Sequence, residues 1–268
     1  MQRRIIGIMS LVLITMPSFS QDDHYWTQQY GAANSAMGGA VVAGVRDNTA
    51  IFYNPGAIGF VTNSSLSVDA NVIRLDKIFI DDGLGNGVNL KSNQVSVYPQ
   101  VLSGLVGLGK HNRWKLTFAL LTRQWGNILM NTRYADTDIP AGSAPNQHFI
   151  GALSYSSQLN EQWLGLGAGY RANDHLSFGG TLFISYRAQS YQMTNDISLV
   201  SLVDSANLFG LYKDEKSVKY HTFSGLLKIG MAWQAGKWKL GLTLTTPSIQ
   251  FSGNGRQDLA SIGNNHIL

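Results

Sequence analysis

The stretch His175–Gln189, HLSFGGTLFISYRAQ, alternates between apolar and polar residues over its whole length. Its even-numbered positions are apolar or small, and its odd-numbered positions are mainly polar, with Phe183 as the exception. Successive side chains of a β-strand point to opposite faces, so a period of two predicts a strand with one apolar and one polar face. The stretch is also much longer than the strands of about 5–6 residues that are usual in globular domains.

The same alternation recurs along the chain after Asn63. The alternating stretches are 65–72, 95–101, 113–122, 149–155, 164–170, 222–233 and 238–245. Pro99 cannot donate to a ladder, so we expect it to bend or bulge its strand. The apolar positions are odd in 149–155 and even in 164–170, which predicts either a bulge or a turn from Gln158 to Glu161.

The connections between these stretches come in two lengths. The short turns are 109–112, 172–174 and 235–237, and the longer polar loops are 81–90, the segment before Gln147 and 199–216. Alternation of short turns with long loops is typical of outer-membrane β-barrels. A soluble β-sandwich is the alternative, but its strands would be shorter. The pattern favours an all-β fold, a transmembrane antiparallel β-barrel.

Four Trp residues fall next to the short turns: Trp114, Trp163, Trp233 and Trp238. Aromatic side chains form girdles where a barrel meets the membrane interface. We therefore expect these residues on the lipid-facing side, although the core of a β-sandwich would also use them.

The composition excludes several classes of protein. Charged residues are only 13% of the chain, whereas about 25% is usual in soluble domains. There is no Cys, which excludes disulfides and thiolate metal sites. The net charge of +4 includes no run of Lys and Arg, so no nucleic-acid partner is predicted.

Residues 1–20 have the pattern of a secretory signal peptide. Arg3 and Arg4 precede a short apolar run, and Ser18-Phe19-Ser20 places small residues at the positions that signal peptidase recognises. The mature chain has no apolar run of the roughly 20 residues that a membrane helix needs. We therefore predict cleavage before Gln21 and a location in the outer membrane of a Gram-negative bacterium, with its lipid as a partner.

The number of strands is odd if the stretch from Gln158 to Glu161 is a bulge. About seven strands then end near Gly253, and a loop-like tail follows to Leu268. Single-chain bacterial barrels have an even number of strands. We therefore predict that residues 63–268 are about seven to eight strands of the N-terminal half of a larger barrel. A turn from Gln158 to Glu161 would make the number even, and a small closed barrel is then the alternative.

The stretch Gly31–Gly59, GAANSAMGGAVVAGVRDNTAIFYNPGAIG, is rich in Gly and Ala and has almost no charge. A segment of small residues packs closely against other surfaces but makes a poor core alone. Gly38 and Gly39 permit close approach to a wall or a positive φ. We predict that residues 21–62 form a plug that lies against the strands.

Local signals within this stretch predict a short helix. Asp47 or Asn48 can cap a helix that begins near Thr49. Pro55 should end that helix and restrict Asn54 to an extended conformation. We expect Asn54-Pro55 to face the strands.

Gly165, Gly167 and Gly169 form a GxGxG run inside an alternating stretch. All three belong to one face of a strand, and no helix follows, so a phosphate loop is not predicted. We expect a smooth strip that lets a neighbour or the plug approach the strand.

The stretch Gly31–Gly59 resembles the start of the FadL/TodX family of outer-membrane transporters for hydrophobic compounds. The matching residues are Gly31, Ala32, Met37–Ala40, Asp47–Ala50 and Phe52–Ala57. The resemblance implies a barrel of about fourteen strands that is plugged by a hatch containing an Asn-Pro-Ala motif. This chain has Asn54-Pro55-Gly56-Ala57 instead. PorV-type proteins, which are docking and shuttle components of a protein-secretion machine, resemble the motif equally well.

The resemblance implies hatch-gated transport of hydrophobic small molecules, such as long-chain fatty acids or aromatic hydrocarbons. The hatch and gating residues would be Gly38, Gly39, Asn54, Pro55 and Gly56. Docking of secreted proteins, as in PorV-type proteins, is the alternative.

Polar positions of the strands supply further candidates. Arg113, Lys115, Arg123 and Arg187 would anchor the plug or a ligand head group, or would only line a polar lumen. The chain has no nucleophile elbow and no paired His spacing for a metal. No enzyme activity, cofactor or metal site is therefore predicted.

Overall fold

The computed structural model describes residues 28–83, 87–109, 112–136, 147–201 and 209–264. The predicted signal peptide and its cleavage site lie outside the described residues. Strands make up most of the described chain, and they all belong to one antiparallel sheet. The predicted all-β class is therefore confirmed. No helix in these ranges is long and apolar enough to cross a membrane.

The sheet follows the order of the sequence. Its strands are β1 (Ser65–Ile80), β2 (Leu90–Leu108), β3 (Trp114–Asp136), β4 (Gln147–Arg171), β5 (Leu176–Ser201), β6 (Phe209–Ala235), β7 (Trp238–Thr245) and β8 (Ile249–Gly263). Each strand from β1 to β7 pairs with the next, and β8 pairs with β6. Within the described ranges β1 does not pair with β7 or β8, so the sheet is open rather than a small closed barrel.

β7 and β8 together form one long edge strand beside β6. β7 pairs with residues 228–235 of β6, and β8 pairs with residues 212–225. The break between them contains Pro247, and the N–H of Thr246 donates to the carbonyl of Leu227 (2.9 Å). Among the described residues the sheet therefore has seven rows of strand, within the predicted range of about seven to eight.

One segment predicted to be irregular is a strand instead, and another is strand at both of its ends, with residues 202–208 outside the described ranges. The tail predicted after Gly253 pairs with β6 as far as Gly263, and the loop predicted at 199–216 is strand up to Ser201 and again from Phe209. The prediction was wrong for the tail to Gly263 and for the two ends of the loop, because the tail and residues 213–216 carry polar side chains at odd and even positions alike. These residues are strand because their backbone groups pair with a neighbouring strand. Backbone pairing does not depend on the side chains, so it produces no apolar–polar period in the sequence.

The sheet has two different faces. Residues 28–64 lie on one of them, the covered face, and the opposite one is the bare face. The bare face carries large apolar side chains, of which Leu166, Leu182 and Leu240 are 62%, 53% and 59% exposed. The covered face carries the buried polar side chains of Ser177 and Thr181. The apolar face of the alternating strands is thus turned away from the N-terminal segment.

Three of the four Trp residues next to short turns lie on the bare face. Trp114 and Trp238 are exposed, and Trp233 shares their face through its pairing with β7. The prediction for Trp163 was wrong, because this side chain is buried on the covered face against Phe52. Trp163 occupies an odd position of β4, where even positions belong to the bare face.

β4 runs from Gln158 to Glu161 without a turn or a bulge. Its register with β5 is constant over the whole strand. Leu153 and Trp163 are both buried on the covered face, whereas Leu164 is exposed on the bare face. The change of parity in the sequence therefore marks the level at which apolar side chains move from one face to the other, and both predicted explanations were wrong.

Two register shifts fall in one cross-strand row, here named the bulge row. One lies in β3 at 122–124, and the other lies between β6 and β8 at 223–224. Gln162 of β4 and Tyr186 of β5 connect them by direct pairing. Bulges bend the strands that carry them. The bulge row separates the apolar part of the bare face, near the short turns, from a polar part beyond it.

β2 separates from β3 at Pro99. The ladder between them joins residues 101–108 to 114–121. Beyond it, Thr122 Oγ1 donates to the Pro99 carbonyl (2.6 Å), and the N–H of Leu129 donates to Ser92 Oγ (3.1 Å). The ladder with β3 is thus interrupted at a seam that side chains bridge, but β2 keeps a constant register with β1 through Pro99, so the predicted bulge is absent there.

The N-terminal segment, residues 28–64, contains α1 (Ala32–Ala36), α2 (Ala50–Tyr53) and a 3-10 helix (Pro55–Phe60). The carboxylate of Asp47 accepts from the N–H of Thr49 (2.9 Å) at the start of α2. α2 ends at Tyr53, where the prediction placed the end of a helix, and Asn54 is extended (φ −153°, ψ 100°). The 3-10 helix, which begins at Pro55, was not predicted.

A row of glycines lets the 3-10 helix approach the sheet closely. Gly169, Gly179 and Gly230 are direct neighbours across β4, β5 and β6. A Cβ on Gly169 would lie 2.7 Å from Cβ of Ile58, and a Cβ on Gly179 would overlap the carbonyl of Pro55. The strip predicted along β4 is confirmed at Gly169, and it continues across the strands.

The main apolar core lies between the N-terminal segment and the covered face. Its buried members include Tyr30, Val41, Val45, Ile51 and Ile58 from the segment and Leu105, Leu121 and Phe183 from the sheet. A segment of small residues that makes a poor core alone thus completes one with the sheet.

Gly179→Val should destabilise the fold, and Gly180→Val should not. A side chain at 179 would push the 3-10 helix off the sheet, which costs about 1–3 kcal/mol by overpacking. Gly180 faces the other way, and the nearest atom to its Cβ would be the carbonyl oxygen of Lys228 at 3.7 Å. Unfolding free energies from denaturant titration in detergent would test the difference. Equal losses in the two variants would contradict the packing described above.

Candidate functional site

Asn54 is fully buried where the N-terminal segment meets β6. Its Nδ2 donates to the carbonyls of Val42 (2.7 Å) and Met231 (3.0 Å), and its Oδ1 accepts from the N–H of Gly56 (2.9 Å). An amide side chain offers two donors and an acceptor. One residue therefore ties two parts of the segment to the sheet.

Pro55 and Gly56 follow at the same contact, and both are buried. A Cβ on Gly56 would lie 2.6 Å from the Cα of Met231. The Gly that stands at this position, where the resembling family has Ala, thus allows the segment to lie directly on the backbone of β6.

Phe52 is held by two cations from the sheet. Lys228 Nζ donates to the Phe52 carbonyl (2.7 Å) and lies 4.1 Å from the ring centroid. The guanidinium of Arg123 lies 5.5 Å from the same centroid. A cation that lies over an aromatic ring is attracted to the ring electrostatically, and the attraction is stronger where water is excluded. These contacts fix the ring of Phe52 at the end of α2.

A cavity of about 580 Å³, the cation cavity, opens beside Phe52 on the covered face. Its apolar wall includes Phe52, Trp163 and Leu226, and its charged wall includes Arg123, Glu161, Arg187 and Lys228. Three cations face one carboxylate, so the cavity has an excess of positive charge.

The carboxylate of Glu161 is largely occupied by its neighbours. Its Oε1 accepts from Trp163 Nε1 (2.6 Å), and its Oε2 lies 3.9 Å from a terminal nitrogen of Arg187. The Nε of Arg187 is buried and has no hydrogen-bond partner among the described residues. Buried donors are normally paired, so this N–H is left unsatisfied, and the Arg187 side chain lines the cavity.

Tyr30 closes one side of the core next to Arg123. Burial raises the pKa of the Tyr30 hydroxyl well above its usual value, although the charge of Arg123 opposes this shift. The hydroxyl therefore stays protonated and donates to the carbonyl of Thr122 (2.9 Å) at the seam.

The structure brings together only some of the residues that the sequence predicted. Arg123 and Arg187 line the cation cavity, whereas Lys115 is buried on the covered face in the row of Gly169. Arg113 is exposed in the turn before β3. The predicted set of four cations therefore does not form one site.

Gly38 and Gly39 lie in the turn after α1, away from the sheet contact made by Asn54, Pro55 and Gly56. Their φ angles are 59° and 77°. A Cβ on Gly38 would meet no atom within 4 Å. A Cβ on Gly39 would instead overlap the side chain of Gln29. Both glycines thus supply a positive φ, and Gly39 also allows the close approach of a side chain from its own segment.

Two charged residues of the cavity were not selected from the sequence. Lys228 occupies a polar position of the alternating stretch 222–233. Its charge between the apolar residues Leu227 and Ile229 is the feature of the sequence that could have identified it. Glu161 lies in the stretch that was interpreted as a bulge or a turn. The position of Glu161 on the covered face becomes clear only when β4 is known to be continuous.

The described ranges contain no group of three or more His, Cys, Asp or Glu side chains that could hold a metal ion. Comparisons of the chain with protein-family models, curated proteins and solved structures found no match. The resemblance to the FadL/TodX family therefore stays an interpretation of the sequence.

Asn54→Ala should loosen the segment from β6. The change leaves two carbonyls and one N–H without their partner, and each such buried group costs about 1–3 kcal/mol. We expect a lower unfolding free energy and faster hydrogen exchange at Gly56. Asn131→Ala is the control, because Asn131 is exposed on β3 and bonds only Ser154 among the contacts described. Unchanged exchange at Gly56 in Asn54→Ala would contradict the anchoring role.

Proposed function

We propose that this chain forms part of an outer-membrane β-barrel that transports hydrophobic small molecules with an acidic head group, such as long-chain fatty acids. The N-terminal segment is the hatch of this channel. The cation cavity carries the proposal, because it joins an aromatic wall to a surplus of cations at the contact between hatch and sheet.

The chemistry of the cavity suits an amphiphile. Phe52, Trp163 and Leu226 offer an apolar surface to a hydrocarbon chain. Arg187 and Arg123 offer donors to a carboxylate, and an Arg guanidinium matches the geometry of a carboxylate with paired N–H groups. A neutral hydrocarbon would use only the first of these surfaces.

The bare face has the dimensions of a membrane-facing wall. From Phe178 to Tyr186 its apolar residues extend along β5 for about 27 Å at 3.4 Å per residue. With the usual strand tilt of about 40°, this corresponds to an apolar band roughly 21 Å high, close to the band of about 25 Å in known barrels. The exposed Trp114 and Trp238 lie at the edge of this band that is next to the short turns.

Opening of the channel requires the hatch to move. The hydrogen bonds of Asn54 to β6 and of Lys228 to Phe52 hold the hatch beside the cavity. An anionic ligand that engages Arg123 competes with the Phe52 ring for the same cation. Ligand binding would in this way loosen one of the contacts that keep the hatch in place.

Docking of secreted proteins is the second candidate, and the length of the strands favours it. β5 continues from the bulge row to Ser201, roughly 15 residues or on the order of 50 Å beyond the apolar band. This polar extension offers a large surface outside the membrane. Co-purification of large exported proteins with the chain, without bound lipid in the cavity, would support this second candidate.

Arg187→Gln should weaken binding of a long-chain fatty acid about tenfold, since a hydrogen bond to a charged group contributes about 1.5–3 kcal/mol. Binding of the matching long-chain alcohol should not change. Calorimetric titration of the full chain in detergent measures both affinities.

Arg113→Gln is the matched control, because Arg113 lies outside the cavity and should leave both affinities unchanged. Equal affinity for acid and alcohol in the unsubstituted chain would rule out a role of the cations in ligand recognition.

A further inference from the structure

A second cavity, here named the outer hollow, lies on the bare face and has a volume of about 630 Å³. Its lining includes Gln158, Asn160, Tyr186, Lys219, His221 and Arg256. These residues point away from the hatch, since they share the face of Leu164 and Ile184. The outer hollow is therefore separate from the cation cavity.

The position of the outer hollow follows from the bulge row. Tyr186 belongs to that row, and the next two residues of β5 on the bare face, Ala188 and Ser190, line the hollow directly beyond it. Bulges in β3 and between β6 and β8 bend the sheet at this level. The hollow thus lies at the boundary where the bare face changes from apolar to polar.

The charges of the outer hollow are unbalanced. Lys219 of β6 pairs directly with Arg256 of β8, and His221 follows on the same face. Like charges directly opposite each other destabilise a sheet. Arg256 Nε bonds Asp258 (2.8 Å), which lies farther from the apolar band, and a guanidinium has four other N–H donors. The pair of cations is thus suited to an anion that lies between them.

Apolar and aromatic side chains border the hollow on its other side. The Tyr186 ring lies 5.0 Å from the ring of Phe223, and Phe223 lies 6.5 Å from Phe251. Ile184 and Leu164 continue this surface toward the short turns, and both are exposed. An occupant of the hollow therefore has cations at one end and an apolar surface at the other.

We propose that the outer hollow binds the phosphate head group of an anionic membrane lipid, with Lys219 and Arg256 on the phosphate and the acyl chains along the apolar band. Arg and Lys both bind phosphate oxygens through charge-assisted hydrogen bonds. This site rests on the proposed location of the chain in a membrane, but not on the transport of any compound.

Native mass spectrometry of the full chain tests the site. The detergent contains phosphatidylglycerol or phosphatidylcholine with identical acyl chains. We expect about tenfold tighter retention of phosphatidylglycerol, and loss of this preference in Lys219→Gln/Arg256→Gln. Arg133→Gln/Lys213→Gln removes the same charge from the polar part of the bare face and should retain the preference.

Three results would overturn the proposal. The first is equal retention of both lipids by the unsubstituted chain, and the second is an unchanged preference in the Lys219/Arg256 variant. The third is complete competition by inorganic phosphate at the lipid concentration, which would show that the acyl chains contribute nothing. Flotation with lipid vesicles separates these outcomes from failure of the proposed function, because a chain outside the membrane would float with neither lipid.

Discussion

Close contact between the backbone of the 3-10 helix and the glycine row of the sheet is the constraint on which the rest of the structure depends. Gly169, Gly179 and Gly230 remove the side chains that would otherwise separate the two layers. Only at this short distance can Asn54 reach the carbonyl of Met231. The same contact places Phe52 between its two cations and so defines the wall of the cation cavity. The candidate site therefore follows from the absence of side chains nearby.

The strands could be predicted because the two faces of the sheet differ in polarity, and this difference appears in the sequence as an alternation of apolar and polar residues. Where the bare face is apolar and the covered face is polar, as in 175–189, alternation determines both the strand and its orientation. The helix end at Tyr53 and the extended Asn54 were also predictable, since Pro55 restricts the backbone locally. In each case the signal lies within a few residues of the feature it specifies.

The features that could not be predicted depend on partners distant in sequence. β8 is a strand because β6 supplies its hydrogen bonds, although its own residues show no period. The change of parity in β4 reflects which face is apolar at a given level, and a single strand does not contain that information. Lys228 joins Arg123 and Arg187 only because β3, β4, β5 and β6 lie side by side in the sheet. The site was accordingly half predicted, from its Arg residues but without Glu161 and Lys228.

The seam between β2 and β3 gives the β1–β2 hairpin an unequal attachment to the rest of the sheet. Near the short turns the hairpin shares a continuous ladder with β3, but beyond Pro99 it is held by side-chain bonds such as that of Ser92 and by a small cluster around Leu90 and Met130. Regions with few buried contacts open at a lower free energy than the core. We therefore expect the described part of the hairpin beyond Pro99, residues 71–83 and 87–98, to separate from β3 at a lower free energy than its base, while the remaining sheet stays folded.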